Sequence, residues 1–468
     1  MKFKVLTFGC QMNVYDTGRI ERFLVAAGHE PAFTEEMADL LILNTCAIRD
    51  SAESRVYGTL GRLAHYKKAR PGRMIAVTGC MAQKEGIELV KRSRVVDVVA
   101  GTHAIPRIPQ LLERAAAGLG PQVDTARSET DLFDEPDYIP LNAIFHRYPA
   151  FVSIMQGCNK VCSFCVVPYT RGKEVCRPPE EVVAECTSLV RQGYREVTLI
   201  GQNVDSYRYE GVDFADLLVR LNRIEELACV RFTTSHPQDI TPKLIDTVAL
   251  CGKVCENFHF PLQSGSNRIL KEMKRGYTVD EYFEKLAYIE RVFGSRETNP
   301  FSYGISTDLM VGFANETESE FDETLEAVRR ARWDSAFMFK YSRRERTAAY
   351  RWEDRVSEEE KSERLARLIP LQESVSLSLN RLVIGTTAEI LIEGVPGYDP
   401  EQLLKSIKGR TRTNKVVSIE PPENTDEMPS VGEIVPIVIT DCKPVTLKGE
   451  LAGRKALAGV EQGGACPA

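Results

Sequence analysis

Six short apolar runs recur after residue 150: FVSIMQG, EVTLIG, VRFTTS, NFHFPL, YGISTDLMVGF and SAFMFKYS. Between them lie amphipathic helical stretches such as PEEVVAECTSLVRQG, FADLLVRLNRI and ETESEFDETLEAVRRAR. Apolar strands alternating with helices call for parallel pairing, with the sheet covered by the helices. Six βα units fall short of the eight that close a TIM barrel. Right-handed crossovers curl them instead into a partial, open (β/α)6 barrel, with its active site at the carboxyl ends of the strands.

The same alternation opens the chain. FKVLTFGC, DLLILNTC, RMIAVTGC and VVDVVAGTH read as strands, and VYDTGRIERFLVAAG and RIPQLLERAAAG as helices, so residues 2–118 form an α/β domain with a parallel sheet. Residues 119–143 are acidic, proline-containing and aperiodic, and read as a linker. The barrel domain is assigned to 144–374. The charged helical stretch SEEEKSERLARLIPLQESVSLSLNRL leads into 377–455, where TTAEILIEGV, TNKVVSIE and EIVPIVITDC read as strands of a small all-β barrel. Residues 456–468 read as a tail. A length of 468 residues agrees with roughly three domains.

The net charge of −6 excludes global attraction to nucleic acid, so such a partner needs a local basic patch. No apolar run approaches the roughly 18 residues of a membrane span. MKFKVLTFGCQMN lacks the long apolar core of a secretory signal. A cytoplasmic, monomeric protein without membrane contact is expected. In that reducing compartment the 13 cysteines are metal ligands or buried small hydrophobes rather than a disulfide framework.

Cys158, Cys162 and Cys165 sit in CNKVCSFC, immediately after the first barrel strand. Two readings compete. Three thiolates on one tight loop can hold three irons of a cubane and leave the fourth open; alternatively Cys176 completes a structural four-ligand site. The charged residues after Arg171 carry Cys176 away and favour the open site. Cys10, Cys46 and Cys80 each end a strand of the first domain. Taken singly they read as core cysteines; three at strand ends can converge on one ligand site outside the carboxyl edge of the sheet.

CNKVCSFC after the first strand of a six-unit barrel resembles the CxxxCxxC signature of radical S-adenosylmethionine (SAM) enzymes. With the three-cysteine first domain and the all-β third domain, the chain resembles the radical-SAM methylthiotransferases over nearly its whole length. The resemblance implies a 4Fe–4S cluster on Cys158, Cys162 and Cys165, whose open iron chelates SAM. It implies an auxiliary 4Fe–4S cluster on Cys10, Cys46 and Cys80, which presents the sulfur. Two SAM per turnover, an electron-donor protein and a sulfur source are implied with them. Phe164, Gly201 and Gln202 in GQNVDSY, Gln263 and Ser264 in FPLQSGS, and Gly312 in DLMVGFANET are the candidate SAM contacts. Each equally suits an ordinary βα turn, and His259 suits the core as well as a site.

KSIKGRTRTNK carries Lys405, Lys408, Arg410, Arg412 and Lys415 without an acidic residue. It reads either as a solvated loop or as a stripe of phosphate contacts. It resembles the GRT-containing strand of the TRAM domain, a small RNA-binding barrel, which implies a tRNA partner. CVVPYTRG and GQNV resemble the branch that methylthiolates C2 of isopentenyl-adenosine at tRNA position 37. Threonylcarbamoyl-adenosine tRNA, a ribosomal-protein aspartate, and a non-catalytic RNA-binding protein with structural metal sites are the alternatives. The chain departs from the family pattern at Cys176, at Asp205, at Asn315 (expected in a left-handed turn) and at Arg343, Arg344 and Arg346.

Overall fold

The computed structural model describes residues 1–47, 50–128, 132–133, 150–393, 407–422 and 428–452, with backbone alone for 50–53. Lys405, the end of the expected linker and the 456–468 tail lie outside the described residues.

The first domain runs β1 (Lys2–Thr7), α1 (Gln11–Ala26), β2 (Glu30–Pro31), β3 (Leu40–Thr45), α2 (Asp50–Ala69) and β4 (Met74–Gly79). It continues with α3 (Cys80–Glu85), α4 (Ile87–Arg92), β5 (Val98–Ala100), α5 (Ile108–Ala116) and β6 (Gln122–Asp124). The strands pair in parallel in the order β2-β1-β3-β4-β5-β6. Every residue of β3 and β4 is buried, as a sheet covered on both faces requires. Ile20, Leu24, Ile108 and Leu112 cover one face; Val56, Leu60, Leu63 and Leu89 cover the other. The boundary expected at 118 is corrected: β6 extends the sheet into the stretch read as linker. Three residues, QVD, are too few to show an alternation, and the strand is fixed by tertiary contacts. Gly101 N–H donates to the Asp124 carbonyl at 2.7 Å, and Arg107 pairs with the Asp124 carboxylate at 2.6 Å.

The second domain begins β7 (Ala150–Ser153), β8 (Met155–Gln156), α6 (Val167–Thr170), β9 (Val175–Cys176), α7 (Pro179–Arg191) and β10 (Glu196–Ile200). A hairpin of β11 (Arg208–Tyr209) and β12 (Val212–Asp213) precedes α8 (Phe214–Asn222), β13 (Cys229–Phe232), α9 (Pro242–Leu250) and β14 (Asn257–His259). Then follow α10 (Asn267–Glu272), α11 (Val279–Phe293), β15 (Gly304–Val311), α12 (Glu318–Ala331) and β16 (Ser335–Lys340). The six expected strands are β7, β10, β13, β14, β15 and β16. They form two parallel triples, β7-β10-β13 and β14-β15-β16, joined by a parallel bridge between Val230 and Val254. Spatial order therefore follows chain order, as in an open barrel. Val152, Val197, Val230, Phe258 and Ile305 pack with Val182, Leu217, Leu244 and Phe321 of the helices in one core.

α13 (Glu358–Arg381) starts at Ser357, whose hydroxyl accepts from Glu360 N–H at 3.1 Å while the Glu360 carboxylate accepts from Ser357 N–H at 2.8 Å. It packs on β16 and leads to β17 (Thr387–Glu393), β18 (Ile407–Arg410), β19 (Val416–Ile419), β20 (Ile434–Cys442) and β21 (Leu447–Leu451). These close into a barrel, β17-β18-β19-β21-β20, filled by Ile390, Ile392, Ile407, Val417, Ile437, Ile439 and Leu447. Among the described residues no helix is long and apolar enough to cross a membrane.

Candidate cysteine-cluster sites

Cys158, Cys162 and Cys165 follow β8 on one loop at the mouth of the second domain. Gly157 makes the turn into that loop. Its φ is +82°, and a Cβ there would run into the Lys173 carbonyl, so only glycine suits the position. Lys160 N–H donates to Cys158 Sγ at 3.4 Å, and Arg275 Nη1 donates to Cys162 Sγ at 3.4 Å. Arg275 is itself fixed by Pro261 O at 3.2 Å and Tyr277 Oη at 3.1 Å. Burial pushes the Cys158 thiol up to about 11 and the Cys165 thiol up to about 12. Such thiols ionise at neutral pH when a metal takes the proton's place.

Cys176 stands apart. It pairs with Met155 across β8 and β9, and its sulfur accepts from Arg208 N–H at 3.5 Å. Burial pushes its thiol up to about 11, with Glu174 rather than another thiol as its charged neighbour. The loop therefore offers three thiols, not four.

Cys10, Cys46 and Cys80 follow β1, β3 and β4, adjacent strands of the first sheet. Cys10 is the N-cap of α1, and Asn13 Oδ1 accepts from its backbone N–H at 3.3 Å and from its thiol at 3.5 Å. Asn13 Nδ2 donates to Asn44 Oδ1 at 3.0 Å and to the Thr45 carbonyl at 3.1 Å, which ties α1 to the strand bearing Cys46. Cys80 opens α3 and is buried. The Cys46 thiol, by hydrogen bonding, lowers Cys10 to about 6 against the opposing effect of burial. Burial raises Cys80, opposed by the charge of Arg171. Three thiols from distant sequence thus share one electrostatic neighbourhood.

Among the described residues no three His, Cys, Asp or Glu side chains stand close enough to share a single metal ion. A cubane engages each thiolate through a different iron, so its ligands need not meet at one point. The donor set, all sulfur, suits iron–sulfur chemistry at both places.

Arg171 joins the two places. It follows α6, the single turn beyond CNKVCSFC, and its Nη2 pairs with Asp16 of α1 at 2.6 Å with both side chains buried. Its carbonyl lies 3.1 Å from His103 Nε2, and the Thr170 carbonyl accepts from Thr102 Oγ1 at 2.6 Å.

The carboxyl ends of β10 and β13 carry a concentration of buried polar atoms without hydrogen-bond partners. Gln202 Nε2, Asn203 Oδ1, both Asp205 carboxylate oxygens, Ser235 Oγ and His236 Nε2 are among them. Burial, with Arg275, Lys160 and Lys285 nearby, pushes His236 down to about 2, so its ring is neutral. Burial raises Asp205 to about 7. Asp239 accepts from Asn203 Nδ2 at 2.6 Å and pairs with Lys160 at 2.8 Å. Buried donors and acceptors left unpaired inside the protein suit a zwitterionic, hydroxyl-bearing ligand such as SAM.

Of the expected SAM contacts, Gln202 lies within this group, its Oε1 accepting from Gly157 N–H. Gly201 precedes it, with its carbonyl accepting from Thr234 Oγ1 at 2.8 Å. Phe164 is half-buried, edge-on to Phe313 with ring centroids 6.2 Å apart. Gln263 has φ +73°, and its backbone is engaged by Asp308 O at 2.8 Å and Met310 N at 2.9 Å. Gly312 N–H donates to Glu316 Oε2 at 2.7 Å. Ser264 is fully buried and its hydroxyl accepts from Ser266 N–H at 3.2 Å, in the tight turn before α10 that packs against α12. His259 lies 3.0 Å from Ser306 Oγ and 3.4 Å from the Asp308 carboxylate.

The basic stripe meets partners inside the chain. Arg410 pairs with Glu393 at 2.7 Å. Arg412 holds Glu256 of the second domain and donates to the Val254 carbonyl at 2.7 Å. Lys415 is buried against Asp334 at 2.5 Å and Asn380 Oδ1 at 2.9 Å. These three cations have internal carboxylate partners, and Lys415 is buried with its own; Lys408 alone of the described ones is exposed. A charge run cannot reveal that its partners lie elsewhere in the chain. The turn expected at Asn315 is also corrected, since the left-handed residue is Ala314 at φ +45°. Asn315 instead accepts from Arg268 through its side chain at 3.2 Å and its carbonyl at 3.1 Å. Arg343 lies over Tyr350 and Arg346 donates to the Lys84 carbonyl of α3 at 3.1 Å.

Lys160, Asn203, Ser235, His236, Asp239 and Arg275 were not expected at the site. Lys160 lies within CNKVC, which was a usable signal; Arg275 reaches Cys162 only through the fold.

Comparison with known proteins places these features. Residues 2–101 match the family described as Uncharacterized protein family UPF0004, and residues 152–328 match the Radical SAM superfamily. The chain is 40% identical over 454 residues to the tRNA-2-methylthio-N(6)-dimethylallyladenosine synthase of Moorella thermoacetica, covering 96% of this chain and 98% of the relative. It is 43% identical over 451 residues to the protein of the same name from Nocardia farcinica, covering 94% and 87%. Its fold is similar to that of the radical S-adenosylmethionine methyltransferase TsrM from Kitasatospora setae, with a TM-score of 0.55 at 14% identity over 75% of this chain and 74% of that one.

Proposed function

The chain belongs to the tRNA-2-methylthio-N(6)-dimethylallyladenosine synthase family of radical-SAM enzymes, and from that premise we propose that it attaches a methylthio group to C2 of the isopentenylated (dimethylallyl) adenosine at tRNA position 37. The relatives' shared name favours this substrate over threonylcarbamoyl-adenosine or a ribosomal-protein aspartate. The observation that carries the proposal is the pair of cysteine trios in one chain, one at the barrel mouth and one at the edge of the first sheet.

Cys158, Cys162 and Cys165 would hold a 4Fe–4S cluster with one iron left for SAM, and Cys10, Cys46 and Cys80 a second cluster. Bound there, the cluster and SAM would supply radical chemistry able to remove hydrogen from an unactivated C–H bond. The protein's own part is positioning. The Lys160 backbone N–H and the Arg275 guanidinium donate to the first trio, and the guanidinium would offset its negative charge. Gln202, Asn203, Asp205 and Ser235 offer buried polar atoms that would hold the polar groups of SAM. Phe164 and the cluster it forms with Phe313 and Met310 give an apolar wall for a base. Arg171, with Asp16, holds the first domain against the barrel so that the two trios keep one spacing. A loop adenine is reachable where a paired one is not. An electron-donor protein and a sulfur source complete the requirements, with the cytoplasm as the working compartment.

Anaerobic reconstitution tests the reading: about eight irons per chain are expected for two cubanes. Incubation with SAM, reductant and isopentenylated tRNA should then give one methylthio group on the modified adenosine by mass spectrometry. A single cluster, or modification of protein instead of RNA, would overturn it.

A further inference from the structure

We propose that Arg171 is a positioning residue for the first-domain cysteines, its buried guanidinium balancing the negative charge that Cys10, Cys46 and Cys80 gather with the cluster they hold. The proposal rests on the reading above that these three cysteines carry a cluster. Arg171 itself belongs to the other domain.

The geometry is specific. α6 packs on α3, the helix that Cys80 opens, and brings the residue after α6 beside that cysteine. The backbone of Arg171 is pinned by His103, and its Nη2 by Asp16. Its Nη1 is buried without a hydrogen-bond partner. A buried guanidinium is costly unless its remaining donors are satisfied, and one carboxylate leaves this one incompletely satisfied. Asp16 lies on α1, the helix that Cys10 caps, so the guanidinium sits between the elements that bear Cys10 and Cys80. Anionic sulfur is what the unpartnered end of Arg171 is placed to meet.

A simpler role would be a rivet, with Arg171 and Asp16 merely clasping two domains. The two roles make opposite statements about Asp16. In a rivet either partner's loss has the same effect. If Arg171 acts by charge, its removal makes the cluster harder to reduce, whereas removal of Asp16 leaves the cation less compensated and makes reduction easier.

The experiment uses the full chain with Cys158, Cys162 and Cys165 changed to alanine, so that only the first-domain site can load. After anaerobic reconstitution and iron counting, the reduction potential is followed by electron paramagnetic resonance in Arg171→Gln, Arg171→Lys and Asp16→Asn. About four irons are expected throughout. The potential should move negative in Arg171→Gln, positive in Asp16→Asn, and stay near the parent in Arg171→Lys. Unmoved potentials, or shifts of one sign in both Arg171→Gln and Asp16→Asn, overturn the proposal. Should Arg171→Gln lose its iron, the sign of the Asp16→Asn shift decides. A parent that takes up no iron overturns the cluster reading and the proposal with it; iron with unmoved potentials overturns the proposal alone.

Discussion

Arg412 grips Glu256 with two parallel bonds, Nε to Oε2 at 2.9 Å and Nη2 to Oε1 at 2.7 Å, across the seam between the third domain and the barrel. Lys415 repeats the connection to Asp334, which Arg296 also holds at 2.9 Å. Fork-to-carboxylate pairing fixes direction as well as distance. The hairpin between β18 and β19 is a clamp on the second domain.

Loss of the buried half of that clamp should be felt as stability. Lys415→Met leaves Asp334 with Arg296 as its remaining cation, and a cost of about 2–4 kcal/mol is expected, below that of stranding a buried charge completely. Urea unfolding checks it. A change within about 0.5 kcal/mol would mean that the pair is solvated in solution.

Phosphate contact should separate from the clamp in salt dependence. Lys408→Ala is expected to reduce the slope of log affinity for tRNA against log salt by about one, if the exposed lysine neutralises one phosphate. Arg412→Ala should leave the slope unchanged even where affinity falls. A slope lost in Arg412→Ala and kept in Lys408→Ala would reverse the assignment.

Iron content should follow the grouping of the thiols. Cys162→Ala is expected to reduce iron from about eight to about four per chain and to stop SAM cleavage. Cys80→Ala should lose a similar amount of iron but retain SAM cleavage, and Cys176→Ser should lose none. Loss of a cluster in Cys176→Ser would restore the four-ligand reading.

Asp205 should imprint itself on the pH profile of stability. Burial raises its carboxyl from 3.8 to about 7; Asp239 pushes in the same direction, and the charges of His259 and Lys285 oppose. The native state therefore keeps a proton that the unfolded chain gives up, and stability falls as pH rises from about 4 to about 7. Above that range Asp205→Asn should be the more stable protein by up to about 4 kcal/mol, with the difference closing below pH 4. Urea unfolding at pH 5 and pH 8 measures it. Parallel profiles for the two proteins would place the titration elsewhere.

The architecture was legible because apolar periodicity is a local property. Each of the six barrel strands was visible as an apolar run; EVTLI and GISTDLMV are buried nearly throughout, while SAFMFK of β16 is only half-buried. The cysteines were legible for a related reason, since Cys10, Cys46 and Cys80 each follow a strand whose apolar run announces its own end. Side-chain commitments were not. Ser264 and Lys415 look available in sequence, yet one caps a turn and the other is buried against Asp334. β6 was hidden because three residues cannot display a period. Arg275 had no signal, because its bond to Cys162 joins residues 113 apart in the chain.

α6 is one turn long, Val167–Thr170, with Cys165 just ahead of it and Arg171 anchored to Asp16 just behind. That turn works as a gauge block between the two sulfur-rich sites, too short to stretch and fastened at both ends. The fold therefore sets how the two groups of cysteines stand to one another, and on the reading proposed above the substrate is what must fit that arrangement.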